Sequence, residues 1–292
     1  MAIGDIRAGY MGYANIAGAN AIRFSDANLA VRQEVNAPDL VMGNFNRMAY
    51  VYGPAQVDGS ISGPVTENFA AGGTSSVWGW ATTRDACGLL TANTVDLYYF
   101  CGSATGSEAA RSFGEMYVNS VTFSCSAGDI AQFSIDVLGA GDPTPPAWIP
   151  GSSGVSGAAE EKLLTWDGID LTVSGPNAPT STVYSNFEFT LSNNLEPVYA
   201  MHSTANYYPF DVVPGLRTIS GSLSAYNVPS GTDGAYGYDD PLNAASSRGT
   251  VSFSIGALTI ECYVKFHRVE PTASVGPIVS TIAFTGVGEQ SF

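Results

Sequence analysis

Side-chain chemistry in this chain starts from a short supply, because it holds only two histidines, His202 and His267. A Ser-His-Asp site needs one of them beside a nucleophile, and the sequence has no G-x-S-x-G turn to expose a serine. His267 sits in VKFHRVE, an alternating run in which it shares a face with Lys265, and a structural or solvent-facing role suits both histidines. Glu160-Glu161 reads as the charged face of a linker helix, and Asp239-Asp240 as acids at a helix N-terminus. Two distant carboxylates could serve a glycosidase, but sequence alone does not locate such a pair. TDGAYGYDD, residues 232–240, offers oxygen ligands without EF-hand spacing. Cys87, Cys101, Cys125 and Cys262 match no zinc spacing. They are expected to be buried thiols in a cytosol-made protein, with disulfides within or between subunits left open. No phosphate-binding or dinucleotide fingerprint occurs. The expectation is therefore a non-enzyme with no cofactor and no metal.

One pair of residues suggests ligand binding instead. Trp78 and Trp80 flank Gly79 in SSVWGWATT, so in a strand both rings could line one face. Stacked aromatics on a β-protein can hold sugars, which makes a tandem carbohydrate-binding or adhesive β-sandwich the alternative reading. Packing in a core or at a subunit contact is the plainer role for the two indoles.

The elements that would position these residues are mostly strands. Apolar residues make up 45% of the 292 positions and charged residues 13%, enough for a sizeable core. Glycine is abundant and β-branched residues recur in short alternating runs, so the class is mainly β. No run approaches the ~18 apolar residues of a membrane helix, and MAIGDIRAGYMGY lacks the apolar core of a signal peptide. The formal charge is −15, and Lys162 and Lys265 are the only lysines. Such a chain is poorly equipped to grip nucleic acid, which needs cations to neutralise phosphates. It is compatible with a wall past which nucleic acid must slide.

A pattern recurs along the chain. Val57-Asp-Gly-Ser-Ile61-Ser62 aligns with Ile219-Ser-Gly-Ser-Leu223-Ser224, an offset of 162 (223 − 61). The run from Ser25 to Val35 aligns with that from Ser185 to Leu195 at an offset of 160 (185 − 25), with apolar residues on the same alternate positions. Ser134-Ile135-Asp-Val137-Leu-Gly139 aligns with Thr281-Ile282-Ala-Phe284-Thr-Gly286 at an offset of 147 (282 − 135). Between the copies lies DPTPPAWIPGSSGVSGAAEEK, stiffened by prolines and then loosened by Gly and Ser. The division expected is a first β-domain at 1–141, a linker at 142–162 and a second β-domain at 163–292.

Each copy carries a long aromatic connection, from Pro38 to Gln56 in the first and over 196–215 in the second. Connections of that length usually have a job or structure of their own. A projecting hairpin in each would offer Tyr50, Tyr52, Tyr199, Tyr207 and Tyr208 to a partner, as candidate assembly residues. One short flanking helix per copy is expected, over DDPLNAASSR (239–248) and within SATGSEAARSFGEM (103–116), with a further turn or two over AAEEKLL (158–164).

FEFTLSNNLEPVYA (187–200), DVVPGLRTISGSLSAY (211–226) and STIAFTGVG (280–288) together resemble the tail tube, or major tail, proteins of long-tailed bacteriophages. The second copy covers that pattern well, and VRQEVNAPDL with QVDGSISG forms a degenerate version in the first. The resemblance implies a β-sandwich or barrel domain with one flanking helix, assembled into stacked rings around a channel through which DNA passes at ejection. Rings of six such domains are usual, and a tandem chain would complete one as a trimer with pseudo-sixfold symmetry. The partners implied are further copies of the chain, other tail proteins at the tube ends, and DNA passing without specific binding, with no membrane. The location implied is the virion tail, after synthesis in the host cytoplasm. Another β-rich virion component, such as a capsid or sheath protein, is a third reading.

Overall fold

The computed structural model describes residues 12–16, 22–36, 51–67, 69, 77–99, 109–140, 162–175, 183–201, 207–226, 248–267 and 279–287. In the first half these form β1 (Gly12–Ile16), β2 (Ile22–Phe24), β3 (Asp26–Ala27), β4 (Ala30–Asn36), β5 (Val51–Pro64), α1 (Val77–Thr82), β6 (Asn93–Tyr99), β7 (Ala109–Ser126) and β8 (Gln132–Gly139). The second half contributes β9 (Ile169–Ser174), β10 (Tyr184–Ser192), β11 (Leu195–Val198), β12 (Asp211–Pro214), β13 (Thr218–Tyr226), β14 (Gly249–Ile255), β15 (Leu258–Phe266) and β16 (Val279–Gly286). The fold is mainly β, as the alternating sequence predicts.

Fourteen of the strands join one sheet in which every pairing is antiparallel. In the first half the succession is β4-β5-β8-β7-β6-β1, and in the second it is β10-β13-β16-β15-β14-β9. Register matches as well as order. Ala27 pairs with Ile61, and Ile61 with Ile135; Phe187 pairs with Leu223, and Leu223 with Ile282. Further along, Gly139 faces Met116 and Gly286 faces Val264. A one-residue slip would turn each strand's apolar set to the other face, so alternation fixes these registers.

The halves meet where β7 pairs with β10, over seven rungs from Asn186↔Ser126 to Ser192↔Ser120. The sheet then folds back on itself. Phe253 of β14 packs against Phe187 and Phe189 of β10, with ring centroids 4.6 and 5.1 Å apart, although three strands separate β14 from β10 in the sheet. Phe253 also meets Phe123 of β7 at 5.9 Å, and Trp78 of α1 meets Phe123 and Phe189. One apolar core thus runs beneath both halves. Burial of its large aromatic side chains is the main favourable term, each contributing on the order of 2–3 kcal/mol.

Several local expectations are corrected. Residues 109–116 are strand, not helix, because a bulge in β7 imitates helical spacing. Asn93 pairs with Met116 but Val95 with Phe113, which leaves one extra residue in β7, and Glu115 takes φ 50°. Phe113 and Met116, three apart, therefore both point into the core. The described end of the 158–164 stretch is extended: Leu163 bridges Thr66. The expected helix at 239–248 falls outside the described residues except for Arg248, as does the proposed linker except for Lys162. Trp78 and Trp80 lie on α1 and not on a strand, and only 7% and 3% of their surface is exposed. They are core residues and offer no stacking face for a sugar.

Candidate assembly edges and polar face

The surface opposite the core is built from the alternate residues of the same strands. Across β7, β10 and β13 these are almost all hydroxyl-bearing, including Ser120, Thr122, Ser124, Thr190, Ser192, Ser220, Ser222 and Ser224. They bond one another across the sheet. Thr122 Oγ1 lies 3.0 Å from Thr190 Oγ1, Ser224 Oγ 3.0 Å from Thr281 Oγ1, and Ser120 donates to Asp136 at 2.6 Å. Acids on this face include Asp58, Asp136 and Glu188. Arg32 is a cation here, and its Nε lies 2.7 Å from Asp58 Oδ1. Such a face has few cations with which to hold phosphate.

At the end of β10 the chain turns through Asn193 and Asn194 into the β11–β12 hairpin, so the second long connection is a hairpin as expected. Asn194 takes φ 50°, which Asn tolerates better than most residues, and its Nδ2 donates to the Leu216 carbonyl at 2.6 Å. The base of the hairpin is bolted to the first half. Asn193 is fully buried, and its Nδ2 donates to the carbonyls of Ala81 (2.9 Å) and Val118 (3.0 Å). Its Oδ1 accepts from Arg217 Nε at 3.0 Å and, more weakly, from Arg84 Nη2 at 3.4 Å. Arg217 Nη2 also donates to the Thr82 carbonyl at 2.9 Å. Asn119 of β7 completes the joint: its carbonyl accepts from Asn193 N–H (2.7 Å) and its Oδ1 from Leu195 N–H (2.9 Å). Burial first, and then the Arg84 charge, pull the Arg217 guanidinium down to about 10, which leaves it charged at neutral pH.

The hairpin lies against the first half rather than standing free. Val212 packs with Leu138 and Ala140, and the Tyr207 carbonyl accepts from Ala55 N–H at 2.7 Å. This brings Tyr52 and Tyr207 edge to face, their centroids 6.1 Å apart, with 55% and 47% of their surfaces still exposed. Tyr199 is also exposed; burial of its hydroxyl and the Asp58 charge raise its pKa. Tyr208 is partly buried against the core, and Tyr50 lies outside the described residues. The structure thus gathers Tyr52, Tyr199 and Tyr207 around β5 and sets Tyr208 apart. Sequence reasoning missed Asn193, Arg84 and Arg217, whose contacts span more than a hundred positions.

Among the described residues no cluster of His, Cys, Asp or Glu is arranged to hold a metal. Cys125 and Cys262 are the buried thiols expected, Cys87 is exposed against that expectation, and Cys101 lies outside the described residues. Burial, with Glu261 adding to it, pushes the Cys262 thiol up to about 12. Among the described residues no helix is long and apolar enough to cross a membrane.

No curated protein matches the sequence. The family described as phage tail tube protein matches residues 7–286, nearly the whole chain. That family is structural, and its place is the virion tail. The sheet with a hydroxyl-lined face, the hairpin at its rim and the match across both halves agree: the chain belongs to the phage tail tube protein family.

Proposed function

We propose that the chain is a non-enzymatic tube subunit whose two halves are homologous domains, three copies closing a ring of pseudo-sixfold symmetry. Rings stack into the tube, and DNA slides along the hydroxyl-lined face without specific binding. The observation that carries this reading is the matched succession and register of six strands in each half, joined edge to edge at β7–β10. Two units related by such a head-to-tail contact generate a closed ring when the rotation between them divides a full turn. A lumen of serine and threonine hydroxyls suits passage, because a wall of guanidinium groups would hold each phosphate it met. The exposed aromatics of the β11–β12 hairpin, with Tyr52 beside them, supply contact area at the ring rim.

Electron microscopy of the purified chain tests this. Expected are tubes or short stacks whose end-on class averages show six lobes, with a mass of three chains per ring. A protein that stays monomeric at high concentration, or rings whose mass corresponds to six chains, overturns the trimer.

A further inference from the structure

The joint inside the chain has a matching but unfilled half. β10 carries β13 on one edge and β7 on the other. Its counterpart β4, among the described residues, pairs with β5 alone. The counterpart of β7 is β15, since Gly139 and Val137 of β8 face Met116 and Val118, while Gly286 and Phe284 of β16 face Val264 and Phe266. Asn119 follows Val118 and makes the closing hydrogen bonds to Asn193 and Leu195. In the second half the residue following Phe266 is His267. It is exposed, and its N–H donates to Ala283 of β16. The positions matching Asn193 and Leu195 in the first half are Gln33 and Val35: Val35 pairs with Tyr52 as Leu195 pairs with Pro214. Gln33 is exposed and Val35 is 51% exposed, an apolar side chain at an open strand edge.

We infer that the chain-to-chain joint repeats the joint within the chain. The end of β15 at His267 of one copy seats against the Gln33–Val35 corner of β4 in the next copy. This rests on the ring reading above and names the segments that meet in it. An open strand edge is a template for a further strand. The partner that fits here is one whose geometry the molecule already displays against β10. The edge at β9 is a weaker choice, because its counterpart β1 is covered by β2 of the same half and not by a strand of the other half.

Disulfide trapping tests the contact. Gln33→Cys with His267→Cys is made in the chain carrying Cys87→Ser and Cys101→Ser, which leaves only the buried thiols Cys125 and Cys262; Val35→Cys with His267→Cys is the second variant. All three positions are on the surface, so the variants are expected to fold, checked by circular dichroism. Cysteines with Cα atoms about 4.4–6.8 Å apart form a disulfide without backbone movement. After assembly and mild oxidation, a non-reducing gel is expected to show covalent dimers and trimers for at least one pair. Variants with only one introduced cysteine are expected to stay monomeric on the gel. Tubes that assemble normally while neither pair cross-links overturn this joint and leave the ring reading standing. A parent protein that forms no rings before any oxidation sinks the ring reading instead.

Discussion

β10 and β4 hold matching places in the two halves, yet among the described residues β10 is enclosed by strands on both edges and β4 on one. The corner that follows β10 is fixed by a buried amide and two guanidinium groups. At the corner of β4 the matching residues are Gln33, which is exposed, and Ala55 in place of Arg217. Where covalent linkage keeps the two partners together, the joint is deep and dry. In the proposed ring the partner of the matching corner would arrive by diffusion, and that corner carries the exposed Gln33 and Val35 in place of a buried latch. An Asn at an open edge would bond water until a partner arrived, and would exchange that water for protein partners on closing, a smaller net gain than in a joint that is always buried.

The largest test of this comparison is whether the halves are separable at all. Phe123 of β7 touches Phe69, Trp78 and Phe253, so its ring links both halves. Phe123→Ala is expected to cost about 3–5 kcal/mol, read by denaturant unfolding of the unassembled subunit. It should shift one cooperative transition. Two transitions, of which only the first-half one moves, would show that the shared core does not couple the halves.

Next comes the latch. Asn193→Ala strips partners from two carbonyls and from Arg217, and about 3 kcal/mol of subunit stability should go with them. Gln33→Ala, at the matching exposed corner, should change subunit stability by less than about 0.5 kcal/mol. Equal losses from both would mean that the two corners are not the buried and open versions of one feature.

A smaller effect tests the match between the halves directly. A Cβ on Gly139 would sit 2.5 Å from Met116 Sδ and 3.0 Å from Val57 Cβ, and one on Gly286 would sit 2.7 Å from Ile219 Cβ. Each glycine ends the strand that crosses the same alternating run, so Gly139→Ala and Gly286→Ala should each cost about 1–2 kcal/mol by overpacking. Thermal melts of the two variants should therefore fall together. A loss at one position only would show that the pairing registers of β5–β8 and β13–β16 are not the same.

The sequence reveals the strands because half-buried strands write their faces in a period of two, and the repeated runs around Ile61 and Leu223 do so twice. It misleads wherever the backbone departs from that period. The bulge at Glu115 moves Phe113 and Met116 to a spacing of three, which reads as helix. VWGWAT shows the reverse error: its two tryptophans alternate as a strand would, but the segment is a six-residue helix buried on the core. The hairpin over 196–215 was legible from its length and aromatics. Its docking on β5 was not, because Ala55 and Tyr207 lie far apart in the chain. The Asn193 latch is hidden for the same reason: a buried amide looks like any turn asparagine until the strand it bonds to is known.

The smallest expected effect concerns what the first half has in place of hydroxyls. Arg32 and Asp58 occupy the places that Ser192 and Ser220 hold in the second half, and they form an ion pair near the open β4 edge. Gln56 Nε2 also donates to Asp58, at 3.2 Å. The Arg32 side chain is 72% exposed, so water and salt screen the pair, and Asp58→Asn should cost the free subunit only about 0.2–1 kcal/mol. The loss should shrink further when unfolding is measured at high salt. Asp58 is also the acid nearest in influence to Tyr199. Its removal should therefore lower the pKa of the Tyr199 hydroxyl, which is followed by the ultraviolet absorbance of tyrosinate in an alkaline titration against a Tyr199→Phe control. A stability loss well above 1 kcal/mol that persists in high salt would mean that the polar face of the first half is held by charge. In that case the two halves would match in strand order while differing in what secures their outer surfaces.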